Sequence, residues 1–312
     1  MKKWIMRCTI GLLCVLLLPY TVFAASSADA VEKVDISAPC TLSLTYRSDE
    51  VPMQNFALSL YHFASVSEDY VISMTESFAP TKLTLNGISS SDEWDAVRMT
   101  LEGYVLAHDI APLAVLSTDA EGKVTFGSLS PGLYFIPQMR FAIGSDFYRF
   151  QSVLVSVPDL GEDGKWNYDV SVIPKPTRVM SSGAGRKQYQ VLKLWKDGGH
   201  LEKRTDSVEI DIFCDGEKVN TVELSEANNW TYEWTAPNDG AIWNVSEKNV
   251  PDGYVMTVEG HQTVFTVINT ASDLSDLPPT GESGRVWLLI LLLCGAGMLL
   301  VMLSLKPEKK RV

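Results

Sequence analysis

The sequence predicts an all-β protein, two β-sandwich domains in tandem with a helical insertion in the first. Three observations carry this. Between residues 40 and 270 the chain breaks into short runs of alternating apolar and polar residues, divided by Gly-, Asp- and Pro-containing turns. Many short strands of this kind build sandwiches. One stretch, 89–108, instead repeats at helical spacing. A Pro-, Ser- and Gly-rich interval from Pro174 to Arg186 then divides the β pattern in two. Apolar segments at the ends complete the outline, as an N-terminal signal peptide and a C-terminal transmembrane helix.

The signal peptide is placed at 1–24. Lys2, Lys3 and Arg7 form its charged region and Ile10–Leu18 its apolar core, with Val22-Phe23-Ala24 at the cleavage site. Residues 25–39 are small and polar and are expected to be loose. The first domain is bounded at 25–176. Thr41–Tyr46 and Phe56–Tyr61 alternate as half-buried strands do. Ser91, Asp92 and Glu93 mark a helix start. Trp94, Val97, Leu101, Tyr104 and Val105 then share one helical face. Strands resume at Lys123–Phe126, Gly132–Pro137, Phe147–Pro158 and Trp166–Ile173.

A linker is placed at 177–188 and a second β domain at 189–271. In Trp243–Glu247, Glu247 shares a face with Trp243 and Val245. In Phe265–Asn269, Asn269 shares a face with Phe265 and Val267. Lys193 sits with Val191 and Trp195, but Leu192 and Leu194 occupy the opposite face. Alternation therefore leaves the direction of Lys193 open. A lysine, a carboxyl and an amide in one core are costly unless they pair or react. Solvated, unconnected positions for the three remain the alternative.

An acidic spacer with Leu277-Pro278-Pro279-Thr280-Gly281 fills 272–284. The run 286–305 has 20 uncharged residues. As a helix it is about 30 Å long, enough to cross a bilayer's hydrocarbon core. Lys306, Lys309, Lys310 and Arg311 lie in the tail, 306–312, which is expected on the cytoplasmic side. Motif, span and basic tail together resemble a Gram-positive cell-wall sorting signal of the LPXTG type. The resemblance implies that a sortase cysteine attacks the Thr280 carbonyl and passes the acyl group to an amine on peptidoglycan or another protein. Pro278 and Pro279 suit this by keeping the peptide extended.

Two further resemblances lie inside the chain. Phe56–Tyr61, Thr118–Gly122 and Leu129–Tyr134 resemble pieces of the N-terminal domain of Gram-positive pilin subunits. Trp166, Val170, Val172, Pro174 and Lys175 resemble the pilin motif, whose lysine is the nucleophile in sortase polymerisation. Ile173 stands where that motif carries tyrosine, so Lys175 is read either as an acyl acceptor or as an ordinary solvated residue. The second domain resembles a collagen-adhesin B-type (Cna-B) domain. The residues that carry it are Lys193–Asp197, Asn229–Tyr232, Trp243–Glu247, Val250–Tyr254 and Phe265–Thr270. Both resemblances imply immunoglobulin-like sandwiches. The second also implies an intramolecular isopeptide bond, with Lys193 as nucleophile, Asn269 as electrophile and Glu247 as proton shuttle. In the first domain Thr45, Tyr46 and Arg47 stand where such a lysine belongs, so no equivalent bond is expected there.

Charge and composition narrow the function. Net charge is -12, and both termini are basic, so the region between them is more acidic still. That argues against nucleic acid as a partner. The chain has five cysteines, of which only Cys40 and Cys214 lie between the terminal segments, either as free thiols or as one disulfide. His62, His108, His200 and His261 show no ligand spacing, so neither a metal nor another cofactor is expected. No hydrolase, nucleotide-binding or metalloprotease motif is present, and the chain is not read as an enzyme. The expected partners are sortase, and peptidoglycan or other pilin subunits through covalent linkage. The expected function is a sortase-anchored surface structural protein, a pilus subunit or a wall-attached stalk. The alternative is a monomeric wall-anchored adhesin that binds a host or matrix ligand through its N-terminal domain.

Overall fold

A computed structural model describes residues 32–48, 51–143, 146–179, 185–199 and 203–272. The expected signal peptide, sorting motif, transmembrane helix and basic tail lie outside these residues. Strands dominate the described chain, and Ser91–Ala107 is the long helix among them.

In the first domain, Cys40–Thr45 lies between Asp169–Val172, to which it is parallel, and Lys123–Leu129, to which it is antiparallel. Its alternation buries Cys40, Leu42 and Leu44. A second sheet runs in the order Val153–Val157, Gly132–Ile136, Ala57–Val66, Ile72–Met74. The strand Ala114–Ser117 pairs with its third member. Between the two sheets lies a core that includes Leu42, Leu58, Phe126, Tyr134 and Ile136. The other face of the second sheet presents Phe63, Leu133 and Phe135 to Val97, Leu101, Tyr104 and Val105 of the helix. A sheet covered on both faces loses its alternation, and Gly132–Ile136 is accordingly buried at every position.

The helix begins at Ser91, where its charge pattern places the start. Ser90 is the N-cap; its side chain accepts from the Glu93 N–H, and Glu93 accepts from the Ser90 N–H at 2.9 Å. This reciprocal capping box satisfies two donors that the first turn would leave open.

Three local expectations change. Phe147–Pro158 is two strands: Asp146–Phe150 pairs with Met139–Ile143 and Pro176–Val179, whereas Val153–Val157 pairs with Gly132–Ile136. The chain changes sheets at Gln151 and Ser152. Within the interval read as a linker, Pro176–Val179 is a strand, and the second domain's first strand starts at Arg186. The segment 32–39 is anchored, because Val34 is 1% exposed and donates its N–H to the Glu68 carbonyl at 2.8 Å.

The second domain is a sandwich of two sheets. One has the order Thr231–Pro237, Arg186–Lys196, Val264–Ala271, Tyr254–His261, and the other Glu217–Ser225, Ser207–Cys214, Trp243–Glu247. The core between them holds Val191, Ile210, Leu224, Val245 and Val267. Each such side chain, once fully buried, contributes roughly 1.5–3 kcal/mol.

Candidate functional site

The first and last strands of the second domain, Arg186–Lys196 and Val264–Ala271, lie side by side and parallel. Their register pairs Lys193 with Val267 and Trp195 with Asn269. Lys193 and Asn269 therefore lie two residues apart along one sheet, on adjacent strands. Val191 is buried and Leu194 is 44% exposed, so Lys193 points inward, which settles what alternation left open. Glu247 ends the strand Trp243–Glu247 in the facing sheet and points into the same core.

The three side chains meet there. Lys193 Nζ lies 2.9 Å from Glu247 Oε2, and both side chains are wholly shielded from solvent. Asn269 Nδ2 donates to Glu247 Oε1 at 3.1 Å. Asn269 Oδ1 is buried and accepts no hydrogen bond among the described residues. Trp195 closes one side, its ring centre 4.7 Å from Nζ.

Burial sets the protonation of this group. Desolvation pushes the Lys193 ammonium down to about 8, against the pull of the Glu247 carboxylate. Desolvation likewise raises the Glu247 carboxyl above its ordinary value, opposed by Lys193 and Asn269. Both shifts favour a neutral amine beside a neutral carboxyl. A neutral amine has the lone pair that nucleophilic attack requires. Glu247 Oε1, which accepts from Asn269 Nδ2, lies beside the nitrogen that must depart, where a carboxyl can pass it a proton.

Lys175, the other candidate nucleophile, is exposed. It lies between the first-domain strands Asp169–Val172 and Pro176–Val179. Leu277, Pro278, Pro279, Thr280 and Gly281 fall outside the described residues. Cys40 and Cys214 are free thiols, so no disulfide joins them. Among the described residues no cluster of His, Cys, Asp and Glu is arranged to hold a metal ion, and no helix is long and apolar enough to cross a membrane.

Two buried carboxylates have partners that the sequence pattern does not reveal. Asp197 accepts from Arg204 Nε at 2.6 Å, from Arg204 Nη2 at 2.8 Å and from the Tyr254 hydroxyl at 3.1 Å. The Arg204 bonds, first among several, hold its carboxyl well below the usual range. This clamp closes the loop after the first strand. Glu102, on the first-domain helix, is buried at the boundary with the second domain. It accepts from Gln138 Nε2. It also accepts at 2.8 Å from the Asn244 amide, oriented to satisfy both partners.

Residues 189–270 match the family model of the Cna protein B-type domain. No curated protein matches the sequence. Similar solved structures include two B repeat units of the collagen binding protein of Staphylococcus aureus, at 15% identity and TM-score 0.26. That match covers 75% of this chain and 49% of the other, so the chain spans about half of that structure. The shaft pilin SpaA from Lactobacillus rhamnosus GG is similar at 13% identity and TM-score 0.26, with 75% of this chain and 98% of that one covered. The full-length major pilin SpaD from Corynebacterium diphtheriae is similar at 13% identity and TM-score 0.30, with 77% and 66% covered.

Proposed function

We propose that this is a cell-surface structural protein, a pilus subunit or wall-attached stalk, whose second domain locks itself with a Lys193–Asn269 isopeptide bond. The observation that carries the reading is the buried meeting of Lys193, Glu247 and Asn269. Lys193 Nζ attacks Asn269 Cγ, and the Cγ–Nδ2 bond breaks. Glu247 takes a proton from the amine and delivers it to the departing nitrogen, which leaves as ammonia. The reaction happens once per molecule and needs no cofactor. Because the joined strands are the first and last of the domain and run parallel, a pull on its two ends loads them in shear. A covalent link between them keeps that load off the hydrogen-bond ladder.

Anchoring follows from the C-terminal motif. A sortase cleaves between Thr280 and Gly281 and joins Thr280 to an amine. In a pilus that amine is the exposed Lys175 of the next copy, set between the buried Pro174 and the half-buried Pro176. The test is an immunoblot of wall extracts boiled in detergent. A ladder of high-mass species that disappears in Lys175→Ala supports the pilus subunit. A single wall-linked species in both strains supports the stalk. Protein that keeps its apolar tail and is released by mild detergent alone contradicts both.

A further inference from the structure

The second sandwich has an open side. One sheet ends there in Tyr254–His261 and the other in Trp243–Glu247, the strand that carries Glu247. Edge strands leave backbone groups unpaired and admit water. Here the first-domain helix lies along both edges. Thr100 Oγ1 accepts the Val258 N–H at 2.9 Å, a bond buried between the domains. Gly103 rests on the back of the Glu247 strand, where a Cβ would lie 2.3 Å from the Val245 carbonyl oxygen. No larger residue fits that approach unless the backbone moves. Glu102 grips the same strand through Asn244, three residues before Glu247.

Burial records the seal. Asn244 and Ser246 face away from their own core, yet are 5% and 0% exposed. Val255 of the second domain belongs to the core beneath the helix, and Met99 of the helix packs against the core of the second domain. Between the helix and the second domain lie cavities of about 820, 370 and 250 Å³, and in the last of these Thr100, Tyr104 and His108 face Glu247 and Tyr254.

We infer that the helix Ser91–Ala107 is a positioning element for the cross-linking reaction: it closes the open side and fixes the Glu247 strand, so the bond forms only after the domains have docked. This rests on the isopeptide reading above. Gly103 acts through the Glu247 strand and Thr100 through Val258, whose strand pairs with the one that carries Asn269, and neither touches the reacting atoms. The arrangement makes the bond a record of correct assembly. The first domain is synthesised first, so its helix is in place when the last strand brings in Asn269.

The test follows bond formation in time. The full chain is made by cell-free synthesis in mild detergent and quenched in acid at intervals. After digestion, mass spectrometry gives the fraction of Lys193 peptide joined to Asn269 peptide. Gly103→Val should slow linkage by about tenfold or more, since small misplacements of reacting groups are costly. Thr100→Val removes the acceptor at constant size and should slow it about threefold, the worth of one hydrogen bond. Thr100→Ser keeps the hydroxyl and should restore the wild-type rate, which a loss of bulk packing would not permit. If limited proteolysis shows that Gly103→Val fails to fold, the Thr100 pair decides. Linkage at the wild-type rate in Thr100→Val overturns the inference while leaving the bond itself intact. Absence of linked peptide in the wild type overturns both.

Discussion

Replacing Lys193 with methionine removes the nucleophile while keeping an unbranched side chain in its place. The bond would close a loop of about 76 residues, and by chain entropy such a loop stabilises by roughly 4.5 kcal/mol. Without the lysine, which opposed the upward shift of the Glu247 carboxyl, burial favours its neutral form still more, and its bond to the Asn269 amide limits any further cost. The conversion to temperature depends on what melts together. The helix ties both domains into one unit of about 240 residues, for which 1 kcal/mol shifts Tm by about 2–4 °C. Lys193→Met should therefore lower Tm by about 9–18 °C at pH 7. Scanning calorimetry on secreted protein measures this. Lys196→Met is the control, since Lys196 is exposed and its ion pair with Glu259 spans 3.9 Å. That control should move Tm by less than about 2 °C. A Lys193→Met protein melting within about 3 °C of wild type would refute the reasoning.

Asn269→Ala should leave Lys193 and Glu247 unlinked and titratable. The lowered Lys193 contributes stability that is present above its ordinary 10.5 and lost as pH falls through about 8. The raised Glu247 contributes stability present below its ordinary 4.5 and lost as pH rises through its folded value. The urea midpoint of this variant should thus be lowest near neutrality and climb from pH 8 toward 10. The linked protein, whose Lys193 is an amide, should lack the alkaline rise, and a rise of equal size in both would count against the bond. Arg204→Ala should cost about 2 kcal/mol in chemical denaturation, because it strands the buried Asp197 carboxylate while part of the arginine is already solvated. A loss below about 0.5 kcal/mol would place the clamp among ordinary surface pairs.

Much of the fold can be read from local pattern, because most strands have one wet and one dry face. Cys40–Thr45 and Phe265–Asn269 show their inward sides by alternation alone. Reading fails where a face meets another part of the protein. Gly132–Ile136 is covered on both sides and has no period to read. The helical stripe of Val97, Leu101, Tyr104 and Val105 is plain, but Thr100, Glu102 and Gly103 are polar or small and look solvated until the second domain is placed. Glu247 and Asn269 are legible as inward residues, whereas Lys193 needs its parallel pairing with Val264–Ala271 to be assigned. The split of Phe147–Pro158 escapes notice because both halves alternate, and only their partners differ.

Lys193 and Asn269 either become one amide or keep separate side chains. Digestion of the secreted wild-type protein, followed by tandem mass spectrometry, addresses this directly. The expected result is a branched peptide containing both residues, lighter than the sum of its parts by one ammonia, about 17 Da. Separate linear peptides, each at full mass with an intact Asn269 side chain, would contradict it.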